Sequence, residues 1–247
     1  MTRRPFVLAV IAAMILAAVA SLRANEERLK NSAVVLDEMS TSVDKGIPTS
    51  LVQKAQCVAI IPGVKKAALG VGGQYGRGYL ACRKDGGGWS APGAIRVEGG
   101  SVGLQIGGSD TDVILLVMNP RGVDRLLSSR FTVGADAAVA AGPVGREAAA
   151  QTDATMMAEI LAWSRSRGIF AGISLKGSTL REDVGENKIL YGKEITNRDV
   201  VAGKVSAPKS ADVLMQALGK YWASSYLTAS SSMSNTSMPC GRLGMVS

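Results

Sequence analysis

The chemistry open to this chain is limited first by the side chains that it lacks. Its 247 residues contain no histidine, which excludes Ser-His-Asp and Cys-His catalytic arrangements and histidine-ligated metal sites. Its three cysteines include no Cys-x-x-Cys spacing and are too few for a four-cysteine zinc site. The P-loop motif does not occur, and with no histidine in the chain no base is available to activate a serine nucleophile. The sequence therefore predicts no catalytic residue, no metal site and no cofactor.

The run from Gly70 to Gly78 is the segment that most resembles a ligand-binding loop. Only the loose pattern Gly76-x-Gly78-x-x-Ala81 fits a phosphate-binding fingerprint, and a turn follows where such a loop needs a helix N-terminus. Glycines inside strands instead permit bulges and tight coiling of the backbone. We therefore interpret this run as part of a curved or closed sheet. An enzyme with a phosphate-bearing ligand is the alternative.

Two groups of carboxylates are close together in the sequence. Asp110 and Asp112 share one face of a predicted strand, and Glu182, Asp183 and Glu186 fall within one predicted loop. Paired carboxylates can transfer protons or bind a hard cation. Since nothing in the sequence fixes a partner for either group, we interpret them as solvated turn charges.

Basic residues are concentrated in the first glycine-rich section of a chain whose formal net charge is +8. The candidates for an anion- or lipid-binding surface, chosen on charge alone, are Lys65, Lys66, Arg77, Arg83, Lys84 and Arg96. A basic residue close to an anionic bilayer contributes about 1 kcal/mol to binding. Aromatic residues are only 4% of the chain, which disfavours nucleic-acid modules that stack bases on exposed rings. We expect no nucleic-acid partner.

The N-terminus has the features of a bacterial secretory signal. Arg3 and Arg4 precede an apolar run over residues 6–20, which is shorter than the roughly 20 residues of a membrane-spanning helix. A cleavage site of the A-x-A type ends at Ala20, and Leu22-Arg23-Ala24 is a second candidate site. We therefore expect a signal peptide at residues 1–24 and a periplasmic or secreted protein, with an uncleaved anchor as the alternative. Cleavage after Ala20 would lower the net charge from +8 to +6.

Export would change what the cysteines can do. Cys57 and Cys82 flank an apparent strand pair, so in an oxidising compartment they could form a disulfide. Two small buried thiols are the alternative. Cys240 lies in the Ser-rich segment 223–247, which we expect to be disordered.

Most of the elements that must position these residues are predicted strands. Cys57–Ile61 is β-prone and should end at Pro62-Gly63, and a strand around residues 94–97 should end before Gly99-Gly100. The apolar run Val113–Met118 is typical of a strand buried on both faces. Helices are predicted over residues 25–43 and 210–222 from their apolar spacing. Strands joined by tight turns, with helices at the ends, predict an α+β fold with an antiparallel sheet.

Seven blocks of sequence occur in a specific order between Glu27 and Trp222. They are Ala55–Lys66, Gly72–Gly78, Trp89–Pro92, Gly103–Gly107, Val113–Met118, Ser166–Ser178 and Asn187–Gly192. Taken together, these blocks resemble the SYLF-domain family, lipid-binding modules also found in yeast actin regulators.

The resemblance implies a single α+β domain over residues 25–222, with a strongly curved, barrel-like antiparallel sheet and packed helices. It also implies lipid or phospholipid binding at membranes and no catalysis. The phosphoinositides and actin-related partners of eukaryotic members do not suit an exported protein. The expected partner is therefore an anionic phospholipid or membrane surface at the bacterial envelope, with any protein partner unknown. A structural or protein-interaction module of the envelope is the alternative.

Overall fold

Two long strands form the centre of the fold. The computed structural model describes residues 3–41, 46–136, 139–143, 158–166, 169–171, 175 and 177–221. Strand β1 spans Cys57–Cys82 and strand β2 spans Gly93–Val117. They pair antiparallel along most of their length, so the glycine-rich section of the sequence is one long hairpin.

Shorter strands and helices surround this hairpin. The remaining strands are β3 (Phe131–Thr132), β4 (Val139–Ala141), β5 (Ile160–Ser166), β6 (Ile169–Ala171) and β7 (Thr179–Glu182). The helices are α1 (Arg3–Thr41), α2 (Thr49–Lys54), α3 (Pro120–Leu126), α4 (Val184–Tyr191), α5 (Asn197–Val201) and α6 (212–221), the last entered through a 3-10 turn at Lys209–Ala211.

Strand β2 is the central strand of the sheet. One of its edges pairs with β1, while the other pairs with β7 near the start of β2 and with β5 near its end. Strand β3 extends the sheet beyond β7, and β4 and β6 both pair with β5. The result is a curled, half-barrel sheet with helices in a single domain, which confirms the predicted α+β fold. The pair β4–β5 is parallel, in contrast to the antiparallel arrangement of the other pairs described.

Curling brings the two ends of β1 together. A Cβ atom placed on Gly78 would lie 2.0 Å from the carbonyl oxygen of Ile60, so only glycine fits where the strand crosses itself. The crossing continues into a backbone hydrogen bond of 2.7 Å from Arg83 N to Gln56 O. The interpretation of Gly70–Gly78 as part of a curved sheet is confirmed, and the phosphate-loop alternative is excluded, because β1 runs through all of these residues.

Two predicted strand ends are also wrong. Pro62-Gly63 lies inside β1 at a shift in register between Ile61 and Val64, and Gly63 adopts a φ of 60°, which favours glycine. Gly99-Gly100 lies inside β2. Both strands continue because each stays paired with the other across these irregularities.

Residues along the central strands alternate between two apolar cores. Leu115 packs inside the curl with Leu80 and Phe131, whereas its neighbour Leu116 packs with Trp163 under the helices. Because one core covers each face of the sheet here, all five residues of Val113–Val117 are buried, as the sequence predicts.

Helix α1 is longer than the predicted helix over residues 25–43 and changes character at its middle. Side chains of residues 11–24 are all exposed, and burial begins at Asn25. From there Leu29, Leu36 and Met39 are completely buried in the core under the helices. Among the residues described, no helix is both long and apolar enough to cross a membrane. Residues 42–45, and the predicted tail at residues 223–247 with Cys240, lie outside the described part of the chain.

Candidate functional site

Three arginines lie side by side across three neighbouring strands. Arg77 of β1 is the cross-strand partner of Arg96 of β2, which is also the partner of Arg181 of β7. In the adjacent row of the sheet, Tyr75 of β1 is opposite Glu98 of β2. Side chains of cross-strand partners share a face, so these five residues form one surface, which we call the arginine face.

The arginine face is on the outside of the curled sheet. Val97 and Leu180, which alternate with its members along β2 and β7, are buried in the core inside the curl. Further along β1 the same outer face reaches Tyr79, which is buried under the helices. The arginine face therefore begins where the helical cover ends.

Two buried carboxylates lie under the arginines. Arg77 Nε is 3.1 Å from Asp183 Oδ2, and Arg77 Nη1 is 3.2 Å from Glu186 Oε2. Arg96 Nη1 is 3.9 Å from Asp183 Oδ1, and Arg28 of α1 contacts Glu186. The carboxylate side chains are only 3% and 6% exposed, whereas those of Arg77 and Arg96 are 38% and 31% exposed. The cations consequently face solvent and the anions face the protein.

The sequence places these carboxylates by starting a helix there. Asp183 is the N-cap of α4, and its Oδ1 accepts a hydrogen bond of 3.2 Å from Glu186 N. Glu186, three residues later, lies in the first turn of α4, where a negative charge is favourable. The interpretation of this group as solvated turn charges is wrong, because both carboxylates are buried and paired.

Arg77 is held in place from two directions. Its Nε also donates a hydrogen bond of 2.6 Å to the hydroxyl oxygen of Tyr75, a residue that is 46% exposed. Burial alone would lower the pKa of the Arg77 guanidinium, but the charge of Asp183, together with Tyr75 and Glu186, outweighs burial and raises that pKa. Arg77 therefore stays charged and in a fixed position.

Glu98 is the exposed carboxylate of the arginine face. Its Oε1 is 2.8 Å from Arg96 Nε, and its Oε2 is 3.6 Å from Arg181 Nε. One carboxylate thus bridges two neighbouring arginines. Arg181 was not among the sequence candidates, although alternation over residues 179–182 between buried Leu180 and its polar neighbours could have indicated its outward direction.

The other basic candidates are not part of the arginine face. Arg83 stacks on Trp89 with its guanidinium carbon 4.5 Å from the ring centroid, and it donates hydrogen bonds of 2.8 Å to Ala55 O and 3.1 Å to Val52 O at the end of α2. Burial lowers the pKa of Arg83. These contacts give Arg83 a structural role as a cap for α2.

The lysine candidates lie elsewhere on the hairpin. Lys65 and Lys66 follow the irregularity at Gly63 and are opposite Asp110 and Ser109 of β2. Lys84 is exposed in the turn between β1 and β2. Charge in the sequence therefore predicted two members of the arginine face, Arg77 and Arg96, but did not predict which other cations join them.

The two candidate cysteines lie where β1 crosses itself. A disulfide joins Cys57 and Cys82 in the structure, and both residues are buried in the core inside the curl. The bond links the first residue of β1 to its last.

The second carboxylate group lies beside a groove between α1 and the irregularity at Gly63. The groove has a volume of about 540 Å³ and is lined by residues that include Arg28, Asp110, Asp112 and Arg165. Asp112 accepts hydrogen bonds of 2.8 Å from Arg165 Nη2 and 3.0 Å from Gly63 N. Asp112 therefore stabilises the irregularity of β1 at Gly63. Within the part of the chain that is described, no cluster of three or more acidic or cysteine side chains could hold a metal.

Comparison with known proteins identifies the family. A family model described as Ysc84, a Las17-binding protein actin regulator, matches residues 98–221. An SH3 domain-containing protein of Schizosaccharomyces pombe is 37% identical over 175 residues, which cover 70% of this chain and 40% of the relative. Protein YSC84 of Saccharomyces cerevisiae is 34% identical over 178 residues, covering 71% of this chain and 38% of the relative. An SH3 domain-containing YSC84-like protein 1 of Bos taurus is 32% identical over 198 residues, covering 78% of this chain and 58% of the relative.

The chain belongs to the Ysc84 family, which is the SYLF-domain family that the sequence blocks resemble. Its match spans about two fifths of the length of the yeast relatives. These relatives carry names of binding or regulatory proteins.

The expected anionic phospholipid or membrane partner is wrong, because the family description and the relative named LAS seventeen-binding protein 3 specify a protein partner. The physical reason is that the basic candidates, chosen on charge alone, do not form one cationic surface, since Arg83 is bonded to the end of α2 and Lys84 lies in the turn between β1 and β2.

Proposed function

We propose that this chain is a non-enzymatic domain that binds a protein partner. The observation that carries the proposal is the arginine face, where buried carboxylates hold arginines beside the exposed ring of Tyr75. Arginine and tyrosine are enriched among the residues that dominate the energy of protein interfaces. The names of the relatives support the same class of function, since the family is described as Las17-binding.

Crosslinking of the full chain in its native cells, followed by mass spectrometry, tests this proposal. We expect one protein to be crosslinked in stoichiometric amount, and an excess of purified, unlabelled chain to compete it away. Recovery of the chain without any protein partner that can be competed would contradict the proposal. Turnover of a small-molecule substrate by the purified chain would contradict its non-enzymatic part.

We propose further that the chain is exported and loses its N-terminal segment. The change in α1 supports this, because residues 11–24 are exposed while Asn25, Leu29 and Leu36 are buried. The buried disulfide between Cys57 and Cys82 is also consistent with an oxidising compartment. None of the side chains of residues 11–24 is part of the core.

N-terminal sequencing of the protein purified from its native source tests export. We expect the mature chain to begin at Ser21 or Asn25, and to be recovered with the exported proteins. Labelling with a maleimide under denaturing conditions should leave Cys57 and Cys82 unmodified until a reductant is added. A chain that begins at Met1 and has three reactive thiols would contradict the proposal.

A further inference from the structure

We propose that the arginine face binds an acidic segment of the partner protein, with carboxylates of that segment meeting Arg96 and Arg181 beside the ring of Tyr75. The inference rests on the proposed function, that the partner is a protein, and adds the surface and the chemistry of the contact. The first observation behind it is that the positive charges of this surface face solvent. The side chains of Arg77, Arg96 and Arg181 are 38%, 31% and 37% exposed.

The carboxylates nearby leave a positive charge on this surface. Four arginines, including Arg28, adjoin three carboxylates, namely Glu98, Asp183 and Glu186. Asp183 and Glu186 are buried beneath the guanidinium groups, so a molecule that approaches from solvent meets the cations first. An acidic segment is the partner that such a surface attracts and orients.

The geometry needed for a carboxylate is already present. Glu98 lies between Arg96 and Arg181, with one oxygen 2.8 Å from the first Nε and the other oxygen 3.6 Å from the second. It shows that the spacing of the two arginines across β2 and β7 suits a single bridging carboxylate. Because Glu98 is itself exposed on this surface, it also competes with any carboxylate that comes from outside.

The arginines are ordered before a partner arrives. Arg77 is held by Asp183, Glu186 and Tyr75, and Arg96 Nη1 lies 3.9 Å from the buried carboxylate of Asp183. A side chain that is already fixed loses less conformational entropy on binding than a free one. Tyr75, next to these cations, adds apolar surface that an unordered patch of lysines would not provide.

Fluorescence anisotropy with labelled peptides tests the inference on the full chain. The probe is a peptide of about ten residues that alternates Glu and Gly, and the comparison is the same peptide with Gln in place of Glu; each carboxylate contact should change affinity about tenfold. We expect the wild-type protein to bind the acidic peptide and not the neutral one, and affinity to fall as salt is raised.

Variants with opposite expected effects make the test specific. Arg181→Gln should weaken binding about tenfold, since it loses a charged hydrogen bond, and Tyr75→Ala should also weaken it. Glu98→Gln should strengthen binding about threefold or more, because it removes the internal competitor. Arg198→Gln is the matched control: it makes the same chemical change in an exposed pair with Asp124, and it should leave the affinity unchanged. Unchanged thermal midpoints would show that the variants remain folded.

Three results would overturn the inference. They are equal affinity for the acidic and neutral peptides, no change of affinity in Arg181→Gln, and tighter binding in wild type than in Glu98→Gln. If a protein partner still crosslinks in those cases, the proposed function stands and the partner binds elsewhere. Vesicles containing about one third phosphatidylserine are the second arm: Arg181-dependent binding to them, without binding of the acidic peptide, would also overturn the inference.

Discussion

A pair of buried amides joins the start of β2 to the segment after α4. Asn187 accepts a hydrogen bond of 2.8 Å from Ala94 N and donates one of 2.8 Å to Asn197 Oδ1, and Asn197 Nδ2 in turn donates one of 2.9 Å to Ala94 O. Because Asn187 is completely buried, Asn187→Ala would leave these groups unpaired and should lower the free energy of unfolding by about 2 kcal/mol or more. Urea unfolding measures the change, with the exposed Asn31→Ala as control. Equal stabilities of the two variants would contradict the prediction.

The crossing of β1 over itself depends on a glycine. Gly78→Ala would place a methyl group 2.0 Å from the Ile60 carbonyl oxygen, in contact with backbone that cannot rotate away. We expect a loss of about 3 kcal/mol or more, or failure to fold, because the strands would have to separate. Gly86→Ala is the control, since its new Cβ would meet nothing within 4 Å. Thermal unfolding, or the soluble yield where the variant does not fold, distinguishes them. A midpoint for Gly78→Ala that matches the control would refute the crossing.

Two tyrosines should make the protein less stable at alkaline pH. Burial raises the pKa of Tyr79 and of Tyr191 above the usual value of 10.0, and the hydroxyl of Tyr191 donates a hydrogen bond of 2.6 Å to Pro92 O. Above about pH 10 the unfolded chain loses phenolic protons that the folded chain keeps. The stability from these groups is therefore fully present below about pH 10 and is lost as the pH rises toward the raised values. Urea unfolding at pH 8 and pH 11 should show a smaller loss for Tyr191→Phe than for wild type, and identical losses would count against the assignment.

At the scale of elements, the side chains of α1 change from exposed over residues 11–24 to packed on the sheet along one face from Asn25 onward. Deletion of residues 1–24 should leave the free energy of unfolding within about 0.5 kcal/mol of wild type, because the side chains of residues 11–24 are exposed and surface changes have small effects. Deletion of residues 1–28 also removes Asn25, which accepts a hydrogen bond from Tyr79, and Arg28, which contacts Glu186, so it should cost about 2 kcal/mol more. Denaturant unfolding of the two truncated chains decides this. Destabilisation by the shorter deletion would contradict it.

The sequence predicted the elements better where local pattern determines them. The apolar run Val113–Met118 was recognisable as a strand buried on both faces, and residues Val113–Val117 of β2 are indeed buried. Strand ends were predicted wrongly at Pro62-Gly63 because the pairing with β2, some fifty positions further along the chain, carries β1 past a residue pair that usually ends a strand.

The arginine face shows why the site was only partly predictable. Sequence proximity and charge indicated Arg77 and Arg96. Their alignment with Arg181 depends on the register of three strands, and the burial of Asp183 depends on where α4 begins over the sheet. Neither feature is encoded within a short window of sequence, so the group could be assembled only from the fold.

At the scale of the whole molecule, the disulfide fixes the closure of the curl. Cys57 and Cys82 are 25 residues apart in sequence. In the chain-entropy model, a crosslink of that span lowers the conformational entropy of the unfolded chain and so raises the free energy of unfolding by about 3 kcal/mol. Reduction should therefore lower the free energy of unfolding by about that amount. Urea unfolding with and without a phosphine reductant measures the effect, and a Cys57→Ser, Cys82→Ser double variant should be insensitive to the reductant. A wild-type protein that is equally stable in both conditions would show that closure does not need the bond.

Alternation between the two cores restricts how the chain can change in length. Inserting one residue into the last part of β2 would turn every later residue of the strand to the opposite face, so that Leu116 would enter the core inside the curl, which now contains Leu115 and Val117. An insertion of two residues would leave every later residue on its own face. Variants of this protein should therefore tolerate the insertion or deletion of two residues in β2 better than that of one residue, except where a β-bulge accommodates the extra residue.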